Sequence, residues 1–191
     1  MRDSKILIVF DCFGVILNAV TNEWFCEFKK PEKRDELLKI FDMGDRGILT
    51  LDEVIKESSK LVGANPIEAK EYWYKNAKPI ELVSILPNLK KKYAIAMLSN
   101  ATENLLDDFI DKFNLSPLFD EIVISSHIKM AKPDKEIFEY VLNKMGNEYD
   151  VKIFVDDNPI NVEASTESGF IGIVYKDFDS FKKEISKYIN I

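Results

Sequence analysis

The sequence predicts an α/β fold: a Rossmann-like doubly wound parallel sheet carrying an inserted small α-helical cap. Three observations point there. Residues 5–10 (KILIVF) form a continuous β-branched and aromatic run, the pattern of a strand buried on both faces. Residues 21–77 show helical periodicity without a strand signal. After them strand and helix patterns alternate to the end of the chain, which implies right-handed βαβ units.

Each element follows from its own signal. The first strand ends at Asp11-Cys12-Phe13-Gly14, where glycine permits a sharp turn. In the insert, Trp24, Phe25 and Phe28 share one helical face, followed by Leu37, Leu38, Ile40 and Phe41. Thr50-Leu51-Asp52-Glu53 reads as a capping box opening a helix over 51–62. Asn65-Pro66 opens another, through Tyr72 and Trp73. Strands are then expected over 93–98, 121–125, 152–155 and 171–175, and helices over 102–113, 134–145, 159–168 and 178–189. On this reading residues 1–17 and 80–191 form the core domain and residues 18–79 the cap.

At 191 residues the chain is long enough for one packed core with a small subdomain. Its 46% hydrophobic and 31% charged content is globular rather than disordered. A net charge of -7 argues against nucleic acid and anionic membrane as partners. An anionic substrate must then be attracted by local devices: a metal, a lysine, a helix N-terminus. The first apolar run is too short to span a membrane, and no signal-peptide pattern follows it. Cys12 and Cys26 provide no disulfide framework and read as reduced thiols, so the expected location is cytoplasmic. The expected assembly is a monomer or homodimer.

In doubly wound sheets ligands bind beyond the carboxyl ends of the strands. Asp11 follows the first strand, Ser99-Asn100 the second, and Asp156-Asp157-Asn158 the fourth; Lys132 lies in the loop after the third. A nucleophile, a hydroxyl, an amide, a cation and paired carboxylates are therefore expected at one end of the sheet. Adjacent carboxylates repel unless a cation sits between them.

The ordered set Val9-Phe10-Asp11-Cys12-Phe13-Gly14-Val15, Met97-Leu98-Ser99-Asn100, Ala131-Lys132-Pro133-Asp134 and Phe154-Val155-Asp156-Asp157-Asn158-Pro159-Ile160-Asn161 resembles the four motifs of the haloacid dehalogenase superfamily. The resemblance spans nearly the whole chain, and the insert is similar to the small helical cap of subfamily I. It implies a Mg²⁺-dependent phosphatase acting on a small phosphorylated metabolite, sugar phosphates among them. Asp11 is then the nucleophile that forms an aspartyl-phosphate. Ser99 and Asn100 bind the phosphoryl group at a helix N-terminus, and Lys132 neutralises charge in the transition state. The implied Mg²⁺ ligands are the Asp11 carboxylate, the Phe13 backbone carbonyl and Asp157, with Asp156 direct or water-mediated.

Phe13 departs from the pattern. Phosphatases of this family usually carry there a second aspartate that protonates the leaving oxygen, help worth ~10²–10⁴ in rate. Three readings stay open: substrates with good leaving groups such as acyl or anomeric sugar phosphates, a proton donor elsewhere with Glu23 and Asp45 of the cap as candidates, or a protein that binds without turnover. Members that hydrolyse 2-haloacids carry an aromatic residue there and need no metal, but tend to have serines in place of the acidic pair. Asp156-Asp157 therefore favours metal and phosphate.

Other residues have plainer readings. A Cys12–His127 hydrolytic pair is disfavoured, because strand alternation turns Cys12 away from Asp11 and His127 is expected on a loop. Ser99-Asn100 and Asp157-Asn158 also suit helix N-caps. Lys90-Lys91-Lys92 closes a helix, Arg46 reads as surface charge with substrate contact as the alternative, and Trp24, Tyr72, Trp73 and Tyr74 read as cap core.

Overall fold

The computed structural model describes residues 5–28, 31–146 and 148–190, without the side chains of 25–28 and 31. The expectations for Phe25, Cys26 and Phe28 side chains lie outside that set. Five parallel strands form one sheet: β1 (Ile6–Phe10), β2 (Ala94–Ser99), β3 (Glu121–Ile124), β4 (Val151–Asp156) and β5 (Ile171–Val174), in the order β3-β2-β1-β4-β5. The chain builds outward from β1 to β3, then crosses to β4 on the other side. Strand order thus reverses at β1/β4, the position where such sheets bind ligands.

The helices are α1 (Val20–Phe28), α2 (Arg34–Asp45), α3 (Leu51–Val62), α4 (Pro66–Asn76), α5 (Leu86–Lys92), α6 (Leu105–Lys112), α7 (Ser125–Ile128), α8 (Lys135–Met145), α9 (Pro159–Glu167) and α10 (Phe178–Ile185). Strand residues alternate between two cores. Ile8, Phe10, Ile95, Met97, Ile153 and Val155 pack on one face with α10 and the insert, and Leu7, Val9, Ala96, Leu98 and Phe154 on the other with α8. Each such buried side chain contributes ~1.5–3 kcal/mol of transfer free energy.

The insert α1–α4 has its own aromatic centre. Trp24, Phe41 and Trp73 meet pairwise at ring-centroid distances of 5.8, 5.9 and 5.6 Å, and the Trp24 indole N–H donates to the Ala69 carbonyl at 3.2 Å. The expected capping box opens α3: Thr50 N donates to Glu53 Oε2 at 2.9 Å and Glu53 N to Thr50 Oγ1 at 3.4 Å. Asn65 accepts from Ile67 N at 2.8 Å to open α4. The two chain crossings at the base lie side by side, with Ile80 N donating to Ile16 O at 2.9 Å. Among the described residues no helix is long and apolar enough to cross a membrane.

Several boundaries differ from expectation for physical reasons. The helix expected over 102–113 begins only at Leu105, because Asn104 turns the chain at φ 64° and its N–H donates to Asp107 Oδ2 at 3.0 Å. Ser99 and Asn100 therefore cap no helix. Ser125 leaves the sheet to start α7, which puts His127 on a helical turn rather than a loop. The closing helix stops at Ile185 instead of 189.

Candidate active site

Strand ends determine what reaches the cleft above β1 and β4. Asp11 extends the β1–β4 ladder by one residue, its N–H donating to Val155 O at 2.8 Å. Parity then sends its side chain opposite to its neighbour: Phe10 and Cys12 pack into the core on the other face. Cys12 is fully buried, and burial, reinforced by Asp11, pushes its thiol well above the usual range. His127 faces Asp107 at 3.2 Å. Cys12 and His127 therefore form no pair.

Lys132 is the hub. Its Nζ lies 2.7 Å from Asp11 Oδ1, 2.7 Å from Asp156 Oδ2 and 3.1 Å from the Leu98 carbonyl, with only 3% of the residue exposed. Asn100 fixes its backbone from both sides, accepting from Lys132 N and donating to Lys132 O at 2.8 Å each. Asn100 also borders the cleft. Asp156 is fully buried, yet its oxygens are satisfied by Lys132, by Asn158 N at 2.8 Å and by Asn161 Nδ2 at 3.1 Å. Buried charges persist only when paired and hydrogen-bonded in this way.

Asp11, Asp156 and Asp157 each offer an oxygen within 4.8 Å of the others. Three carboxylates against one ammonium leave the cluster short of positive charge. Burial raises the Asp11 carboxyl to about 8 despite Lys132, with Asp156 adding to the rise. Burial and then Asp156 raise Asp157 as well. Burial alone draws the Lys132 ammonium down, but Asp11 and Asp156 outweigh it and hold it above its ordinary range.

The all-oxygen donor set suits a hard divalent cation such as Mg²⁺. Backbone geometry agrees. Gly14, at φ +88°, lies so close to Asp157 that a Cβ there would sit 2.4 Å from Oδ2. The hydrogen bonds that close this turn run through the Cys12 carbonyl and the Gly14 N–H.

The cleft holds about 390 Å³ and is bordered by Asp11, Phe13, Lys132, Asp157, Asp45 and Asn22, among others. Ser99 is fully buried beneath it, its hydroxyl 3.4 Å from the Asn100 carbonyl. The expected helix N-terminus beside it is absent, since α6 starts six residues after Ser99.

Asn161, to which the motifs attach no role, orients Asp156 from the first turn of α9. Its five-residue spacing from Asp156 was the available signal. Asn158, rather than Asp157, caps α9, accepting from Ile160 N at 3.0 Å. Arg46 does not border the cleft; partly exposed, it bridges Asp42 at 3.1 Å and Asp134 at 2.6 Å.

Comparison with known proteins agrees with this arrangement. A family model described as haloacid dehalogenase-like hydrolase matches residues 8–174. The D-ribitol-5-phosphate phosphatase of Bacteroides thetaiotaomicron is 24% identical over 206 residues, covering 96% of this chain and 98% of its own. A solved structure of a haloacid dehalogenase family enzyme from that organism, in complex with magnesium and inorganic phosphate, superposes with TM-score 0.71 at 25% identity, covering 91% and 94% of the two chains. Some relatives are far longer: the 27% identical match to drimenol cyclase of Aspergillus calidoustus covers 55% of this chain but 20% of that one. With the match running from β1 to the end of β5 and all four strand ends presenting the expected residue types, the chain belongs to the haloacid dehalogenase-like hydrolase family.

Proposed function

We propose that the protein is a Mg²⁺-dependent phosphatase acting on the phosphate monoester of a small, otherwise neutral, hydroxylated compound. One observation carries the reading: the Asp11 carboxylate is held 2.7 Å from Lys132 and within 4.8 Å of oxygens of Asp156 and Asp157. The likeness to a ribitol-phosphate phosphatase and to a magnesium–phosphate complex supports it.

Asp11, Asp157 and the Phe13 carbonyl would hold the ion, with Asp156 beside it; when bound, it supplies charge neutralisation for the phosphoryl oxygens. Asp11 attacks phosphorus, and the bond to the leaving oxygen breaks. Lys132 balances the negative charge shared by Asp11 and the phosphoryl group in the transition state. Water then hydrolyses the aspartyl-phosphate.

The cleft also favours a neutral remainder of the substrate. Among the described residues Lys132 is the only cation bordering it, and the others that carry charge there are Asp11, Asp42, Asp45, Asp156 and Asp157. A second phosphate or a carboxylate on the substrate would meet repulsion. Hydroxyls suit Asn22, Thr21 and Asn158. The buried Trp73 indole N–H, which lacks a partner, borders the small adjoining cavity.

The test is phosphate release from a panel of sugar and polyol phosphates, with and without Mg²⁺, in wild type and Asp11→Asn. Release that needs both the metal and Asp11 is expected; release indifferent to chelation contradicts the reading. Phe13 favours a second reading, metal-free hydrolysis of 2-haloacids, which failure to release halide across short-chain haloacids would end.

A further inference from the structure

We propose that Asp45, carried by the cap, is the general acid–base residue of this site, moving the proton that Phe13 cannot. The inference rests on the phosphatase reading and deepens it.

Phe13 occupies the position of the missing acid with an aromatic ring packed edge-on to Phe109 at 6.2 Å. Across the cleft, Asp45 borders the same 390 Å³ space as Asp11 and Lys132. It also borders, together with Phe13, the adjoining cavity of about 70 Å³. Of the carboxylates there, Asp11, Asp156 and Asp157 are committed to Lys132 and the metal cluster. Asp42 is half-exposed and bound to Arg46. Glu23, the other candidate, is exposed, accepts from Asn18 at 2.9 Å and is not among the cleft's lining residues. Asp45 remains.

A proton donor needs a fixed position, and residues 44–47 are bolted to the core. Ser125 Oγ donates to the Asp45 carbonyl at 2.5 Å while accepting from Ala101 N at 3.0 Å. Arg46 reaches Asp134 at 2.6 Å. Gly44 and Gly47 sit so close to Thr102 and to the Ser126 carbonyl that a Cβ at either would approach within 2.5 Å. Thr102 borders the small cavity together with Asp45. Burial, then Asp42, raise the Asp45 carboxyl to about 7, against the pull of Lys132, Thr102 and Arg46. An acid titrating near neutrality is matched to proton transfer in both directions.

The proton balance closes. As Asp11 bonds to phosphorus and the ester P–O bond breaks, the departing alkoxide takes the Asp45 proton and leaves as an alcohol. The Asp45 carboxylate then takes a proton from the water whose oxygen attacks phosphorus. The bond from phosphorus to Asp11 breaks, phosphate departs, and both carboxyls return to their starting forms.

The test measures kcat/KM with Mg²⁺ for D-ribitol 5-phosphate and for p-nitrophenyl phosphate, in wild type, Asp45→Asn and Asp11→Asn. This parameter reports the first phosphoryl transfer, and an aryl leaving group needs little help from an acid. Asp45→Asn is expected to lose ~10²–10⁴ on the polyol phosphate and at least about tenfold less on the aryl ester. Phe13→Asp added to Asp45→Asn should restore part of the loss on the polyol phosphate. Equal losses on both esters, or none, overturn the assignment and leave the phosphatase reading standing. Activity surviving in Asp11→Asn, or absent from wild type on every ester, overturns both. Should Asp45→Asn not fold, wild type decides alone across phosphate esters of graded leaving-group acidity. A shallow dependence supports proton delivery, and a steep one overturns it.

Discussion

The floor of the cleft is assembled from segments that follow four separate strands, whereas the wall beside Asp45 is tied to the core through the turn at residues 44–47. On the floor, Asp11, Lys132 and Asp156 are 7%, 3% and 0% exposed and joined through the Lys132 ammonium. Such a cluster is weak evidence for stability, because desolvation of the charges offsets much of their attraction. An exposed pair such as Lys135–Glu139, at 3.1 Å, involves similar groups with little at stake, ~0.3–0.5 kcal/mol. The wall differs from both. Its charged residues are partly open to solvent, and its position depends on glycines at close approach and on ties to the core. Floor changes should therefore damage chemistry on every substrate, and wall changes should act selectively.

The largest expected effect is on the floor. Asp11→Asn should lower kcat by ~10⁶, as removal of a nucleophile does elsewhere, measured as phosphate release. Lys132→Met should lower kcat by ~10²–10³. Without metal it should also destabilise the fold by ~3–5 kcal/mol, since Asp11 and Asp156 lose their buried partner; denaturant unfolding in chelator checks this. Gly14→Ala should push Asp157 out of place and weaken Mg²⁺ binding ~10–100-fold by calorimetry, with smaller losses at saturating metal.

The wall is sharpened by pH. Asp45 is raised to about 7, so its acid form is present below that value and lost as pH rises through it. Polyol-phosphate kcat/KM should fall along that limb, and the limb should be missing in Asp45→Asn. The groups facing Asp45 are Asp42, Arg46 and Lys132. Linkage gives a second sign. A native carboxyl raised above its unfolded value binds more protons than the unfolded chain between the two values, so its ionisation costs stability as pH rises from about 4 to 7. Asp45→Asn should then raise Tm at pH 8 relative to wild type more than at pH 4. The smallest effect is expected for Arg46→Ala: at most ~1 kcal/mol in stability, since the pair is partly exposed. It should lower polyol-phosphate kcat by about tenfold through a loosened turn.

The floor was legible in the sequence because Asp11 and Asp156 lie at the ends of buried-strand runs and Lys132 lies beyond the third, and strand ends of a doubly wound sheet share one side. Asp11, Lys132, Asp156 and Asp157 are gathered as that logic requires. The capping box at Thr50 was equally readable, being a local interaction. What failed was short-range geometry set by distant partners. Asn100 was expected beside a helix N-terminus, but its amide closes on Lys132, 32 residues away, and the chain turns again at Asn104. Asn161 escaped because its hydrogen bond to Asp156 exists only once α9 docks on β4. Glu23 and Asp45 were indistinguishable in sequence for the same reason. Their difference comes from how the insert seats on Thr102, Ser125 and Asp134.

Attack by Asp11 on phosphorus leaves a covalent trace, which acid quench of wild-type protein turning over a phosphate ester with Mg²⁺, followed by peptide mass spectrometry, would detect. A phosphoryl group on Asp11, absent in Asp11→Asn and absent once a chelator has removed the metal, is the predicted result. Steady phosphate release with no label on Asp11, or with label on another residue, contradicts it.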